Sequence, residues 1–334
     1  FNQIKGMVAN VLDHGADKTG ATDCVAAIQA AVDLVSAAGG GVVFFPAGTY
    51  KIMGTSNPKV NGGRVLDGVK IKSGVWCEGE GPSSIIEVDD TSWYAFHTRL
   101  TAAVTTSPAG NVTNIAFRNL KFTHSAAGSF VSAEQEQIQL FIESVEGCLI
   151  ENCTFYGWWG DAICIAPVLA SDTASWLSSV VKNVRITGCL FDGIDNENRQ
   201  GVSLLNGQNV EIDSNTFKNT TTSTMPGAID IEPEVVATDV IKSVSIHDNQ
   251  FYNIGGTGGV IGGATPGDMV TLVQDVAIYD NILIPMHLVG LDMHLLLLIH
   301  RVHTTQSKYH LSVTRCTGMA LLGRRVSDSV ESHN

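Results

Sequence analysis

The acidic residues Asp230 and Glu232 stand two positions apart in a segment where apolar and polar residues alternate. Residues two apart in a β-strand point to the same side of the strand. With Ile229 and Ile231 facing inward, both carboxylates would therefore point outward, about 7 Å apart along the strand. The spacing thus predicts a pair of acidic groups on one outer surface.

Paired carboxylates are the groups that hydrolyse glycosidic bonds. One carboxylic acid protonates the leaving oxygen, while a carboxylate roughly 5 to 9.5 Å away activates water or attacks the anomeric carbon. Crowding of like charges raises the pKa of one group, which a general acid at neutral pH requires. We therefore predict that Asp230 and Glu232 are catalytic residues; the alternative is an ordinary solvated strand face.

Further polar residues would join this pair if the neighbouring strand segments lie side by side. A first set, from the loops that enter those segments, would supply additional catalytic carboxylates: Asp161 and Asp195. A second set would contact the substrate: Trp158, Trp159, Glu197, Arg199, Gln139 and Ser203. Carboxylates, an arginine and tryptophans together are typical of a sugar-binding surface. The alternatives are a merely polar loop and tryptophans that pack beneath it.

A repeated phrase indicates which elements would bring these residues together. One large apolar residue follows another after five positions, in the pairs Phe117/Phe122, Ile150/Phe155, Ile186/Phe191, Ile212/Phe217, Ile246/Phe251 and Ile278/Leu283. Three positions into each phrase stands Leu120, Cys153, Cys189, Asn215, Asn249 or Asn281, at intervals of 33, 36, 26, 34 and 32 residues. Such intervals are typical of a solenoid, because each unit buries its apolar face only by stacking on its neighbours.

Each repeat is predicted to contain three short strands. The phrase itself gives a strand, a bend and a second strand, and we expect the central asparagine to make the bend because it tolerates the left-handed backbone conformation. Third strands are predicted at 138–141, 162–166, 202–205 and 228–232. Three strands per turn make a parallel β-helix. Asn215, Asn249 and Asn281 would then form an interior ladder, with Cys153 and Cys189 in the same place in earlier coils.

The first fifty residues predict a cap for this solenoid. Thr22 is a candidate N-cap of a helix, and the glycines from Gly39 onward would end it. Its buried face would consist of Ile28, Ala31, Val32 and Val35. A solenoid needs such a cap because its end coil would otherwise expose apolar core and unpaired backbone.

This segment resembles the N-terminal part of the pectate lyase superfamily, in which Asp-x-Gly-Ala-x-x-x-Gly-x-Thr-Asp precedes Gly-Gly-Gly and a Pro-x-Gly-Thr-Tyr strand. The matching residues are Asp13, Gly15, Ala16, Gly20, Thr22 and Asp23, then 39–41 and 46–50. Cys24 stands where a second Asp is usual. With the repeats, the resemblance extends from residue 10 to about 283. It implies an all-β fold, a single-stranded right-handed parallel β-helix with an N-terminal capping helix at about 10–52.

The resemblance implies a carbohydrate-active protein but does not choose the reaction. The superfamily includes polygalacturonase-like hydrolases, polysaccharide lyases, uronate epimerases and phage tailspikes, and this chain lacks the Asn-Thr-Asp, Gly-His-Gly and Arg-Ile-Lys motifs of polygalacturonases. We favour hydrolysis, which requires no cofactor. A lyase would need a base and a cation, Ca²⁺ or the nearby Arg199, to neutralise a uronate carboxyl. A third hypothesis is a non-catalytic glycan-binding or phage tail-fibre protein.

Composition and charge limit the organisation and the partners. Residues 1–283 are predicted to be one β-helix domain, and the 34 glycines of the chain suit many tight bends. Of the seven cysteines, Cys148, Cys153, Cys164 and Cys189 are predicted to be free and buried at strand positions rather than paired, and the odd count leaves at least one thiol unpaired. No metal-binding spacing occurs in residues 1–283. We expect a polysaccharide or oligosaccharide partner, no nucleic acid and no membrane. A homotrimer and an extracellular or virion-associated location are compatible with this interpretation.

Residues 284–334 depart from the repeat. They carry six of the ten histidines, and five Lys and Arg against three Asp and Glu in a chain that has 20 against 33 overall. The segment is interpreted either as a C-terminal cap or subunit contact, or as sequence that is not the natural continuation of the repeat, such as a frame change would produce.

Overall fold

The fold is described from a computed structural model. The described residues are 6–54, 67–98, 112–125, 137–169, 176–177, 181–194, 198–220, 228–233, 240–255, 260–263, 272–284 and 310–311. Near the N-terminus lie the 3-10 helix η1 (Val11–His14) and the α-helix α1 (Val25–Ala37).

The strands form three long sheets. The first sheet contains β1 (Met7–Asn10), β3 (Gly41–Phe45), β6 (Val75–Gly79), β9 (Val112–Arg118), β12 (Val145–Glu151), β17 (Lys182–Thr187), β20 (Gly207–Asp213), β23 (Val240–His247), β26 (Leu272–Tyr279) and β28 (His310–Leu311), in this order. The second contains β2 (Thr19–Asp23), β4 (Gly48–Ile52), β7 (Ser84–Val88), β10 (Lys121–His124), β13 (Thr154–Tyr156), β18 (Leu190–Asp192), β21 (Thr216–Thr220), β24 (Gln250–Ile254) and β27 (Ile282–Ile284).

The third sheet contains β5 (Val69–Lys70), β8 (Tyr94–His97), β11 (Ile138–Glu143), β14 (Ile163–Ala166), β19 (Val202–Leu204), β22 (Ile229–Ile231) and β25 (Ile261–Gly263). A separate antiparallel pair joins β15 (Val168–Leu169) to β16 (Trp176–Leu177). Within the three long sheets the strands pair in parallel. One turn of the chain, here called a coil, gives one strand to each sheet, which confirms the predicted parallel β-helix.

A column of stacked aromatic rings runs through the interior behind the second sheet. Its members are Phe122, Phe155, Phe191, Phe217 and Phe251, with ring centroids 5.1, 4.8, 4.4 and 5.1 Å apart and nearly parallel planes. All five rings are buried. Parallel register places equivalent residues of successive coils in line, so the repeated phenylalanine becomes a continuous core.

The predicted asparagine ladder is confirmed beside this column. Asn215 Nδ2 donates to Asn249 Oδ1, and Asn249 Nδ2 donates to Asn281 Oδ1, each over 3.0 Å. The backbone N–H groups of Asn215 and Asn249 donate to the same oxygens. Cys189 N donates to Asn215 Oδ1 over 2.9 Å, so the ladder ends at the coil where cysteine takes the place of asparagine.

The predicted position of the bend is wrong by one residue. Left-handed backbone belongs to the residue before each ladder position: Asn119, Asn152, Gly188, Ser214, Asp248 and Asp280, with φ between 51° and 64°. The ladder asparagines do not have positive φ. Their side chains point inward to bond the coils, and the preceding small or polar residue makes the turn that aims them there.

The N-terminal cap is confirmed, but its predicted start is wrong. Helix α1 begins after Cys24, and the Thr22 hydroxyl instead donates to Asp17 Oδ2 over 3.1 Å. The predicted face of Ile28, Ala31, Val32 and Val35 is fully buried. Gly39 and Gly40 adopt φ of 90° and 117°, and the Gly40 N–H donates to the Val35 carbonyl, which ends the helix as predicted.

The six cysteines of the described residues are free and buried, which confirms the prediction for Cys148, Cys153, Cys164 and Cys189. In the C-terminal segment, β28 pairs in parallel with β26, and residues 285–309 and 312–334 lie outside the described residues. Which of the two interpretations of 284–334 holds stays a prediction. The helices of the described residues include none with the length and apolar character that crossing a membrane demands.

Candidate active site

The candidate site lies on the outer side of the third sheet. Register places Phe141, Cys164, Ser203 and Asp230 side by side on β11, β14, β19 and β22. The adjacent row of Leu140, Ile163, Val202 and Ile229 belongs to the interior core. The predicted alternation is therefore present on four successive coils. The expectation that this outer row projects into solvent is wrong, because Asp230 is 1% exposed and Ser203 is 3% exposed.

Asp230 is a buried carboxyl group with few compensating donors. Gln200 Nε2 donates to its Oδ2 over 3.2 Å, while its Oδ1 accepts no hydrogen bond among the described residues. Burial, followed by the nearby charge of Glu232 and a side-chain hydrogen bond with it, raises the pKa of Asp230 to about 8. Asp161 adds to this rise and Arg199 opposes it. Asp230 is therefore mainly protonated at neutral pH, and its carboxyl group is hydrogen-bonded to Glu232.

Asp161 is held on both of its oxygens. The Ser203 hydroxyl donates to Oδ2 over 2.8 Å, and Arg199 Nε donates to Oδ1 over 3.1 Å. Arg199 and Ser203 both belong to the next coil. The backbone of that coil pairs with the coil of Asp161 at this point, because the Ala162 N–H donates to the carbonyl of Gln200, which lies between Arg199 and Ser203 in the sequence. Burial disfavours the charged guanidinium, but the charge and hydrogen bond of Asp161 outweigh it and raise the pKa of Arg199. The ion pair between Asp161 and Arg199 is thus partly buried, and its hydrogen bonds fix the orientation of both side chains.

The structure brings together five of the ten predicted site residues. Asp161, Arg199, Ser203, Asp230 and Glu232 form one cluster built from three coils. Gln200 belongs to the cluster but was not among the predicted residues, although it directly follows Arg199 in the sequence. Asp195 and Glu197 lie outside the described residues, so their roles stay predictions.

Gln139 lies at the N-terminal side of this cluster. Its backbone N–H donates to the Asp161 carbonyl over 3.3 Å. Both atoms of its side-chain amide are buried and have no hydrogen-bond partner among the described residues. A buried amide without hydrogen bonds destabilises the fold, because it has lost its hydrogen bonds to water. A substrate that supplied those hydrogen bonds would agree with the predicted role of Gln139 in substrate binding.

The prediction that Trp158 stacks on a sugar does not fit its position. Trp158 has no exposed surface, belongs to the interior core and packs edge-on against Phe191. Trp159 is 2% exposed and stacks on His124 with ring centroids 3.8 Å apart. Both tryptophan rings therefore pack inside the protein, which was the alternative to binding a sugar. Trp158 Nε1 also donates to the Arg199 carbonyl and so helps to hold the backbone that carries this arginine.

The cluster is a poor fit for a metal ion. No group of three or more His, Cys, Asp or Glu side chains is arranged to hold a metal within the described part of the chain. Both oxygens of Asp161 already accept hydrogen bonds, and Asp230 is mainly neutral at pH 7. Calcium prefers six to eight oxygen ligands, several of them charged, so these side chains alone do not make a Ca²⁺ site.

Two protein-family descriptions match the chain. One, described as "Right handed beta helix region", matches residues 102–281, and the other, "Rhamnogalacturonase A/epimerase, pectate lyase-like", matches residues 8–62.

Two curated relatives come from Azotobacter vinelandii. Mannuronan C5-epimerase AlgE3 is 48% identical over 73 residues, which is 22% of this chain and 4% of that protein. Alginate lyase 7 is 43% identical over 76 residues, 22% of this chain and 8% of that protein. The chain thus spans only a small part of the length of the curated relatives that it matches.

Two solved structures share the fold at low identity. The pre-mature gene product 12 of bacteriophage phi29 has a TM-score of 0.56 at 16% identity, covering 83% of this chain and 34% of that chain. A family 28 exopolygalacturonase from Yersinia enterocolitica has a TM-score of 0.55 at 15% identity, covering 84% and 54%. At these identities the likeness concerns the fold alone.

Proposed function

The chain belongs to the right-handed β-helix family, and we propose that it acts on a polysaccharide by hydrolysing glycosidic bonds. The observation that carries this proposal is a buried carboxyl group, Asp230, on the outer side of one sheet, whose pKa is raised to about 8 by burial and by the adjacent carboxyl group of Glu232. Glycosidic hydrolysis requires a carboxylic acid and a carboxylate roughly 5 to 9.5 Å apart, so Glu232 would have to move away from its hydrogen bond with Asp230 when a sugar binds.

Asp230 would act as the general acid. Because its pKa is about 8, it keeps its proton at neutral pH and can transfer that proton to the leaving oxygen as the glycosidic bond breaks. The positive charge of Arg199 favours the carboxylate that remains. Arg199 is held for this purpose by its 3.1 Å ion pair with Asp161.

Glu232 is the better candidate for the second carboxylate. Both oxygens of Asp161 already accept hydrogen bonds, which suits a group that orients its neighbours. Glu232 is partly exposed and directly follows β22, so its side chain can turn away from Asp230 and admit a sugar between the two groups. There it would activate water or attack the anomeric carbon.

Chemistry on a uronate polymer is a second candidate, favoured by the sequence similarity to a mannuronan C5-epimerase and an alginate lyase. Removal of the proton beside a uronate carboxyl needs a base and a cation that neutralises this carboxyl. Glu232 would supply the base and Arg199 the cation, with Ca²⁺ as a further possibility from solution. The net charge of −13 disfavours a polyanion, which ranks this candidate second.

A panel of polysaccharides separates these reactions. The panel would contain neutral glucans, pectate and mannuronan, with and without added Ca²⁺. New reducing ends without ultraviolet absorbance support hydrolysis, whereas absorbance of an unsaturated uronate supports β-elimination. An Asp230→Asn variant is the matched control, since it removes the acid and keeps the shape of the side chain.

Other outcomes of the panel would overturn the proposal. Binding without any product would favour the glycan-binding or tail-fibre hypothesis. Full activity of the Asp230→Asn variant would move the chemistry to another part of the chain. If the substrate is a polysaccharide outside cells, the proposal implies an extracellular or virion-associated protein.

A further inference from the structure

Gln200 donates a hydrogen bond to one of the two carboxyl oxygens of Asp230. Its Nε2 donates to Asp230 Oδ2 over 3.2 Å, and both side chains are 1% exposed. Asp230 Oδ1 is also buried and accepts no hydrogen bond among the described residues. The two oxygens of one carboxyl group therefore have different surroundings, one beside a donor and one without.

The backbone holds Gln200 firmly in this place. Its carbonyl accepts a 3.1 Å hydrogen bond from Ala162 N in the preceding coil. The next residue, Gly201, donates from its N–H to the Ala228 carbonyl in the following coil. A Cβ at Gly201 would approach the ring of Phe217 to 2.9 Å, so only glycine fits this close passage. Gln200 is thus fixed between the coil of Asp161 and the coil of Asp230.

In a neutral carboxyl group the C=O oxygen is a stronger hydrogen-bond acceptor than the O–H oxygen. The proton of a neutral Asp230 is therefore favoured on Oδ1, since Oδ2 already accepts from Gln200. We propose that Gln200 is a positioning residue that makes Oδ1 of Asp230 the oxygen that carries and transfers the proton. This inference rests on the proposed role of Asp230 as general acid.

The proton transfer is balanced on these atoms. The O–H bond at Asp230 Oδ1 breaks as a new O–H bond forms on the leaving sugar oxygen. The glycosidic C–O bond breaks to that oxygen, while water or the Glu232 carboxylate forms the new bond to the anomeric carbon. The negative charge then spreads over both oxygens of Asp230, where the N–H of Gln200 stabilises it. The charged and titratable groups that also act on Asp230 are Glu232, Asp161 and Arg199.

Replacement of Gln200 by Met tests the inference, because Met has a similar length and no donor. A matched control is Gln208→Met on β20 of the first sheet. The carboxyl titration of Asp230, followed by infrared difference spectroscopy against Asp230→Asn, does not depend on activity. We expect the pKa of Asp230 to rise by about one unit in Gln200→Met, as loss of a hydrogen bond to a charged group implies, and not in Gln208→Met.

Kinetics provide the second readout. We expect kcat to fall about tenfold with KM unchanged, and the alkaline limb of the pH profile to move upward. Gln200→Glu keeps the length but adds a negative charge, so it should not restore kcat at neutral pH. An unchanged titration of Asp230 in a folded Gln200→Met protein would overturn the inference, and so would a change in KM alone, which would assign Gln200 to substrate binding.

The titration also separates this inference from the proposed function. If the wild-type protein cleaves no polysaccharide but the titration shifts as expected, the general acid role fails while the control of Asp230 by Gln200 holds. If cleavage is observed and the titration does not shift, only the inference about Gln200 fails.

Discussion

The Ser203 hydroxyl donates a 2.8 Å hydrogen bond to Asp161 Oδ2 across 42 positions of the chain. Arg199 reaches the other oxygen of Asp161 across 38 positions. Both contacts join one coil to the next, so the stacking of the coils assembles the site. Changes that disturb the stacking are therefore expected to affect the site as well as stability.

Asp230→Asn is expected to lower kcat at least a thousandfold if Asp230 is the general acid. The same change should stabilise the fold at pH 8. In the folded protein the pKa of about 8 lies above the ordinary value for Asp, so the wild type loses stability as pH rises from about 4 to 8. Thermal melting at pH 4 and pH 8 measures this, and we expect Asp230→Asn to raise the melting temperature at pH 8 but not at pH 4.

Asp213→Asn is a control for which we expect the opposite effect on stability, because the pKa of Asp213 is lowered whereas the pKa of Asp230 is raised. Burial opposes the ionisation of Asp213, but hydrogen bonds from Arg185 and Thr187 outweigh it and lower its pKa. That stability is present above the unfolded pKa and is lost as pH falls through the folded one. Asp213→Asn should therefore lower the melting temperature at neutral pH. Equal effects of the two variants would contradict the environment assigned to Asp230.

The pH dependence of cleavage should show an alkaline limb near pH 8. Activity falls there because Asp230 loses the proton that it must donate. Glu232→Gln should lower the pKa of Asp230, since the charge of Glu232 and its hydrogen bond both raise that pKa. Carboxyl titration by infrared spectroscopy checks this even if the variant is inactive. A pKa that stays near 8 would show that burial alone sets it.

Asp161→Asn should destabilise the fold by roughly 2 to 3 kcal/mol, because it leaves the mostly buried Arg199 without its carboxylate. The companion variant Arg199→Met, and the double variant, complete a thermodynamic cycle measured by chemical denaturation. We expect the double variant to be more stable than the sum of the single effects predicts. Additive effects would mean that the ion pair contributes little.

Asn249→Leu should destabilise the fold by about 3 kcal/mol or more, since it removes hydrogen bonds to both neighbouring coils. The control is Gln250→Leu, one residue later and exposed. Denaturation midpoints of the two variants give the comparison. Similar small losses in both variants would show that the interior ladder is energetically unimportant.

Much of the fold followed from local pattern. The two-residue alternation determined that Ile229 lies inward and Asp230 outward, and the interval between phrases determined that Asn215 would meet Asn249. These features depend on strand geometry and on a repeat, both of which can be seen in one stretch of sequence. The position of the bend could not be found in this way, because the inward aim of Asn215 depends on the turn at Ser214.

The sequence by itself determined the solenoid, its N-terminal cap and the common side of the acidic residues. Only the tertiary structure decided that Asp230 is buried, that Gln200 binds it and that Trp158 belongs to the core. The physical reason is that side-chain direction, and with it the charge of Glu232 beside Asp230, is a property of one strand, whereas burial, the largest cause of the raised pKa of Asp230, depends on what other coils place nearby. Residues some 30 to 40 positions away supply those neighbours, and no local pattern contains them.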